Sequence, residues 1–329
     1  MNNKEQHITS IGGQAIIEGV MMRGPHKTAM AVRKPDNEIE CEVNDNGTKK
    51  HSFILRLPII RGCVNFVESL VIGMKALMFS ADFMELEDDE PSESKFDKWL
   101  EEKFGDKIKD IVIYFSIALS LVLSIGLFIL LPSLLTSGLE WLFSLFAPLA
   151  KIAKTKAFTG ISEGIIRMAI FITYLALVSQ MKDIKRVFEY HGAEHKTIAC
   201  YEAGEELTVE NIKKYTRFHP RCGTSFLLFV MIISIIVFTL LPRFDGYAKI
   251  VQILLRMATR LALLPVVAGL SYEAIKIAGR SKNKFVKLLT KPGLWLQKLT
   301  TREPDASQIE VAIVSMKAVI PENSEDDKW

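Results

Sequence analysis

The chain is 329 residues long, carries a formal net charge of +3 at pH 7, and is 49% hydrophobic and 24% charged. That length can hold two ordinary domains, and so slight a positive excess lacks the basic character of a nucleic-acid binder, so no nucleic-acid partner is expected. The apolar residues gather in a few long runs, while the N-terminal and C-terminal regions read as water-facing protein, which points away from a single evenly built globular core.

In chain order, residues 1–30 lack a continuous apolar stretch ending in a small-residue cleavage site, so no signal peptide is read there. Residues 1–57 read as a small β-rich unit. Its apolar or β-branched stretches, Ala15 to Met22, Thr28 to Arg33 and Glu38 to Val43, are punctuated by the turn signals Gly24-Pro25, Pro35-Asp36-Asn37 and Asn44 to Gly47. The glycine-rich run Gly12 to Arg23 lacks the Lys-Ser/Thr of a P-loop and the spacing of a dinucleotide fingerprint, so no nucleotide site is expected. Its Glu18 and Arg23 read as strand-edge charges around a bend, or as charges that approach the central loop of the chain. After Pro58 the period changes. Val64, Val67, Val71, Met74 and Met78 recur at helical spacing and predict an amphipathic helix over 59–83, lying on the β unit or on the membrane. The acidic run Glu85 to Ser94 reads as a linker, closing a second segment, 58–107.

A membrane crossing needs about 20 predominantly apolar residues. Four such runs lie within 108–271: Ile108 to Leu135, Ile161 to Met181, Ser225 to Leu241 and Ile250 to Leu270. Lys and Arg crowd the flank before the first run, the loop 182–224 between the second and third, and the segment after the fourth. The other two loops hold only Lys151, Lys154 and Lys156, and Arg243 and Lys249. By the positive-inside rule both termini and the central loop face the cytoplasm, and the first run directs insertion into the cell membrane. Cys41, Cys63, Cys200 and Cys222 then sit where thiols stay reduced, so no disulfide framework is expected.

The expected fold is an α-helical integral membrane protein with about four transmembrane helices and a small N-terminal β-rich cytoplasmic unit. Trp141 to Phe146 reads as an interfacial patch. The last segment, 272–329, reads as a surface-lying helix over Phe285 to Thr300, a short helix over Ser307 to Ile320 and a frayed polar tail from Pro321. No internal repeat is evident. Arg256 and Arg260 stand one helical turn apart in the fourth run, where a buried charge costs several kcal/mol. Such residues line a cavity, pair with acid or meet anionic lipid, unless the span begins after them. Glu273 reads as an Arg partner or a remote acidic ligand.

Chemistry concentrates in the central loop, where His191-Gly192-Ala193-Glu194-His195 has the order His-x-x-Glu-His. On a helix, residues i and i+4 share a face, so His191 and His195 can turn to one Zn²⁺, with Glu194 as general base. A second cluster, His219-Pro220-Arg221-Cys222-Gly223, follows in the same loop, and His219 or Cys222 can complete the ligand set. The bland alternative is hydrogen-bonded histidines; another is Cys222 as nucleophile with His219 as its base.

The runs Gly12 to Arg23, Tyr190 to Lys196, His219 to Ser225 and Glu303-Pro304-Asp305 together resemble the YqhQ-like family of bacterial membrane proteins, commonly labelled predicted metal-dependent enzymes. The resemblance covers roughly Ile11 to Ala318. It implies His191, Glu194, His195, His219 and Cys222, with Glu18 and Arg23, as the positions to test. The expected function is a metal-dependent hydrolase, Zn²⁺ being the expected ion, acting in contact with the lipid bilayer on a lipid-linked group, a membrane peptide or a small phosphorylated molecule. The alternatives are a non-catalytic scaffold with a structural metal, and a transporter with Arg256 and Arg260 on its path, which would call for an oligomer.

Overall fold

A computed structural model describes residues 7–47, 53–83, 108–153, 155–241, 244, 246–280 and 283–328. The sequence-predicted linker Glu85 to Ser94 lies outside them. The chain divides into two compact units, one of residues 1–84, 175–233 and 265–329, the other of residues 85–174 and 234–264.

The first unit is built on an antiparallel meander, β1 (Gly12–Ile16), β2 (Gly19–Arg23), β3 (Lys27–Arg33) and β4 (Ile39–Asp45), paired in that order. The stretch Ala15 to Met22, read as one strand, is in fact a hairpin with Ile16 opposite Gly19. Its turn holds Glu18 at φ 48°, a conformation that L residues rarely take. Successive side chains of a strand point to opposite faces, and here both faces are covered. Val20, Met22, Ala29 and Ala31 meet Tyr190, Ala193 and Ile198 of α6 (Lys182–Glu202) and Ile309, Ala312 and Met316 of α11 (Ala306–Val319). Ile16, Met21, Met30 and Val32 meet Ile72, Ala76, Leu77, Phe79 and Phe83 of α1 (Ile60–Phe83). Two covered faces explain why β2 and β3 read as unbroken apolar runs rather than alternating ones. On its other side α1 leaves Val67, Leu70, Val71, Met74 and Met78 exposed at 50–63%.

α11 begins at a capping box: the Asp305 side chain accepts from Gln308 N–H (2.9 Å) and Gln308 Oε1 accepts from Asp305 N–H (2.9 Å). Gln308 Nε2 also donates to Glu189 of α6 (3.0 Å), which fixes the two helices in register. The C-terminal tail is not frayed. Asp327 is fully buried, accepting from Thr9 Oγ1 and from Tyr201 Oη (3.1 Å), and Thr9 pairs with Lys328 in an antiparallel bridge. A buried carboxylate with several donors anchors the segment, and hydropathy does not register that kind of anchor.

The remaining helices are α2 (Ile108–Ile125), continued through a π-helical turn, Gly126–Leu130, into α3 (Leu131–Ser144); α4 (Ala147–Ala153); α5 (Lys156–Val178); α7 (Val209–Lys213); α8 (Gly223–Thr239); α9 (Lys249–Arg280); and α10 (Lys284–Thr300). Four helical stretches are long and apolar enough to cross a membrane, Ile60–Phe83, Ala118–Ser144, Lys156–Val178 and Ile250–Ala278, while Phe226–Thr239 is apolar but shorter. Three of the expected runs fall in that set. The fourth member is α1, expected on the sheet or the membrane, and the run 225–241 falls in the shorter helix.

At 17 residues α8 meets the lower end of the spanning range, about 17–25 residues.

Candidate metal centre

The α6 helix carries the first histidine pair on its buried face. His191 and His195 stand at i and i+4, with ring centroids 4.4 Å apart. A Cβ at Gly192 would overlap Arg302 O, so glycine alone lets the segment after α10 cross the helix this closely. The crossing is held by Arg302 N–H donating to Phe188 O (2.8 Å). It also brings the end of α10 over the histidines. Ala193 between them is fully buried against the sheet.

Each ring is held by a backbone carbonyl: His191 Nδ1 lies 2.8 Å from Thr300 O, and His195 Nδ1 2.6 Å from Arg217 O. A carbonyl oxygen only accepts, so both Nδ1 atoms carry hydrogen, and in the neutral rings both Nε2 atoms keep a lone pair. Those lone pairs converge on Cys222, at the start of α8. His191 Nε2 is 3.2 Å from its sulfur, and the ligand atoms of His191, His195 and Cys222 all lie within 4.8 Å of one another. Tetrahedral zinc sets such atoms about 3.3–3.8 Å apart, so small side-chain shifts would close the group on an ion. The sulfur accepts from Thr224 Oγ1 (3.3 Å), the kind of donor that metal thiolates keep.

Two buried polar atoms in this group have no hydrogen-bond partner among the described residues, His195 Nε2 and Glu194 Oε2. Burial pushes the His195 imidazole below its ordinary pKa, which favours the neutral, ligand-competent ring. Burial pushes the Glu194 carboxyl up, partly offset by His191 and by a hydrogen bond from Gly13 N–H. Glu194 Oε2 stands 4.0 Å from His191 Nε2. A Cβ at Gly13 would come within 2.9 Å of the Glu194 side chain and 2.7 Å of Met21 O. The N-terminal glycine run thus has a use that its spacing does not announce: it lets an edge strand lie directly on the carboxylate.

His219 is near but turned aside. Its backbone is clamped by Gln297 of α10, which accepts from His219 N–H (2.8 Å) and donates to His219 O (2.7 Å). Its ring centroid is 5.5 Å from that of His195, yet Nε2 lies between Glu202 Oε2 (3.7 Å) and Arg221 (3.3 Å). Although burial works against it, His219, Arg221 and Thr9 N–H hold the Glu202 carboxyl below the usual carboxylate range. Of the two ligands offered by the second cluster, the geometry brings in Cys222 and leaves His219 to Glu202. Glu202, Gln297 and Gly13 are additions to the residues chosen from sequence.

The other candidates are accounted for. Glu18 does reach the central segment, where it accepts from Arg186 and from Tyr190 Oη (3.1 Å), two residues of α6. Arg23 faces Glu68 of α1 at 4.0 Å and does not join the histidines. Glu273 is the partner of Arg61. Arg260 and Arg256 belong to the second unit, where Arg260 pairs with Glu163 and both line a small cavity. None of these supplies a ligand atom to the group of three.

The sequence matches, over residues 57–322, the family described as "Protein of unknown function (DUF1385)". It is 36% identical over 315 residues, 94% of its own length and 92% of the relative's, to a protein of Bacillus subtilis (strain 168) named "Uncharacterized protein YqhQ". No solved structure matches the chain.

Proposed function

The chain belongs to the DUF1385 family, and from that premise we propose a metal-dependent hydrolase of a membrane surface, in which His191, His195 and Cys222 hold a divalent ion and Glu194 moves the proton. One observation carries the reading: both imidazoles are fixed through Nδ1 by backbone carbonyls, so that both Nε2 lone pairs converge on one buried sulfur. That is the outer support that metal-ligating histidines ordinarily have. Zn²⁺ suits an imidazole and thiolate set, and three protein ligands leave the fourth position open. An ion bound there supplies Lewis acidity. Glu194 Oε2, 4.0 Å from His191 Nε2, would accept a proton from water and return it to a leaving group. Gly13 N–H and the close approach of β1 keep the carboxylate from swinging away. The substrate on this reading lies at the cytoplasmic face that the Lys and Arg distribution predicts, as a lipid-linked group, a membrane peptide or a small phosphorylated molecule.

Elemental analysis of detergent-purified protein tests the reading. Wild type is expected to hold close to one ion per chain, His191→Ala and Cys222→Ala almost none, and His219→Ala most of it. Wild-type protein that stays metal-free after reconstitution with zinc would sink the proposal. The 4.0 Å approach of Glu194 to His191 favours one second reading, a closed structural site with Glu194 as fourth ligand in a non-catalytic scaffold. Glu194→Gln separates the two. Metal is retained if the carboxylate is the base and lost if it is a ligand.

A further inference from the structure

Among the described residues, one buried cluster of the second unit holds more positive charge than negative. Glu163 of α5 is 3% exposed and forms a two-pronged pair with Arg260 of α9, itself 7% exposed. Ser133 Oγ donates to the same carboxylate (2.9 Å) and accepts from Arg260 Nη1 (2.9 Å). Arg167, one turn along α5, donates to Glu163 as well (2.9 Å), and to Phe128 O (3.0 Å). Two guanidiniums therefore share one carboxylate inside helices that read as membrane spans, leaving one positive charge over. Both lie against the Phe238 ring, 5.5 and 5.6 Å from its centroid. An uncompensated cation at such depth is costly, so it implies a partner or a water-filled path.

The place for a partner is beside it. A cavity of about 40 Å³ is lined by Lys156, Arg256 and Arg260, with no carboxylate among the described lining residues. Arg260 Nε, buried, has no hydrogen-bond partner among the described residues. Another acid among the described residues, Glu140, accepts from Thr159, a lining residue. Among the described residues around the cavity, even with Glu140 counted, Lys156, Arg167, Arg256 and Arg260 outnumber Glu140 and Glu163 by two. A water needs about 10–15 Å³ of such space, so the cavity has room for about three waters, more than a monatomic ion requires. Planar guanidiniums with a lysine match the oxygens of phosphate, which accept two parallel N–H bonds from each fork.

We propose that this cavity is a binding site for a phosphate-type oxyanion, either the headgroup phosphate of an anionic lipid or inorganic phosphate, held by Arg256 and Lys156 and neutralising the surplus charge of the Arg167–Glu163–Arg260 cluster. The site is independent of the metal centre.

Thermal unfolding of the full chain tests it in two arms, inorganic phosphate titrated in neutral detergent, and nanodiscs of phosphatidylcholine with or without phosphatidylglycerol. Arg260→Gln would remove the two-pronged partner of the buried Glu163 and risks misfolding, so the variants are Arg256→Gln and Lys156→Gln, at less buried positions. Wild type is expected to be stabilised in at least one arm, with half-saturation shifted about tenfold or more in Arg256→Gln, as loss of a charged hydrogen-bond donor requires. Stabilisation by phosphatidylglycerol alone identifies a headgroup. Stabilisation by inorganic phosphate identifies the free anion. No stabilisation in either arm, or equal responses in wild type and both variants, overturns the proposal.

Discussion

The two units each bury a polar cluster, and the clusters lack opposite things. In the first unit burial favours the neutral His195 ring, and what is left over is acceptor capacity: a bare imidazole nitrogen, a bare carboxylate oxygen and a sulfur. In the second unit what is left over is donor capacity and positive charge, on Arg260 Nε and the second guanidinium at Glu163. Burial makes either deficit expensive. The sign of the deficit then names the missing class, a cation where lone pairs converge and an anion where guanidiniums do. Two sites of equal burial in one chain can thus be told apart without reference to any relative.

Cross-testing breaks or sharpens that contrast, and the largest effect is expected at the sulfur. A ligand at a thousandfold excess over its Kd stabilises the native state by about 4 kcal/mol. Zinc at that excess is expected to raise the melting temperature of wild type and of Arg256→Gln alike, and to leave Cys222→Ala almost unmoved. If Arg256→Gln also lost the zinc response, the two clusters would not be separate sites. Next in size is Glu163→Gln, which leaves two buried guanidiniums without a counter-charge and is expected to cost about 3–5 kcal/mol in detergent unfolding. Arg167→Gln removes only the surplus cation and should cost clearly less while weakening the response to phosphate. Equal costs for the two would mean that the cluster carries no surplus to be neutralised.

Much of this was legible in the sequence, for reasons that differ by residue. The His-x-x-Glu-His order survives because helical periodicity alone puts His191 and His195 on one face. Arg260 was readable because a charge in an apolar run demands an explanation, and the structure supplies Glu163. Periodicity cannot report long-range contacts. Gly13 meets Glu194 across 181 positions and Thr9 meets Asp327 across 318, so the sequence alone excludes a nucleotide site in the glycine run without assigning Gly13 a contact, and reads the tail as frayed. The turn at Glu18 was missed because its left-handed residue is a glutamate, held there by Arg186 and Tyr190 rather than by local turn chemistry. His219 and Cys222 read alike in the sequence, as alternative completing ligands. In the structure Cys222 reaches the pair, while Glu202, seven residues past His195 on the same helix, takes the His219 ring.

A smaller effect is expected at Gly13. A methyl there cannot enter without moving Met21 O or the Glu194 side chain, so Gly13→Ala should cost about 1–3 kcal/mol. It should also lower hydrolytic turnover more than zinc content if Glu194 is the base, and lower both together if Glu194 is a ligand.

The smallest effect supplies the control for the contrast. Asp327 is as buried as either cluster, but its acceptors are met, by Thr9 Oγ1, Tyr201 Oη and His7 Nε2. It should therefore answer to neither zinc nor phosphate. Burial, aided by Asp327, pushes the Tyr201 hydroxyl up to about 12, against an ordinary value of 10.0. The folded chain thus keeps a proton that the unfolded chain gives up, so this contribution to stability is fully present below pH ~10 and is lost as pH rises toward about 12. Tyr201→Phe removes one neutral-to-charged hydrogen bond and is expected to cost about 1–2 kcal/mol near neutrality. Its stability should then fall less steeply than that of wild type between pH 10 and 12 in denaturant melts. A response of Tyr201→Phe to zinc or phosphate that differed from wild type would show that a fully satisfied cluster can also report ligand, and the rule that reads ligand class from the unmet groups would fail.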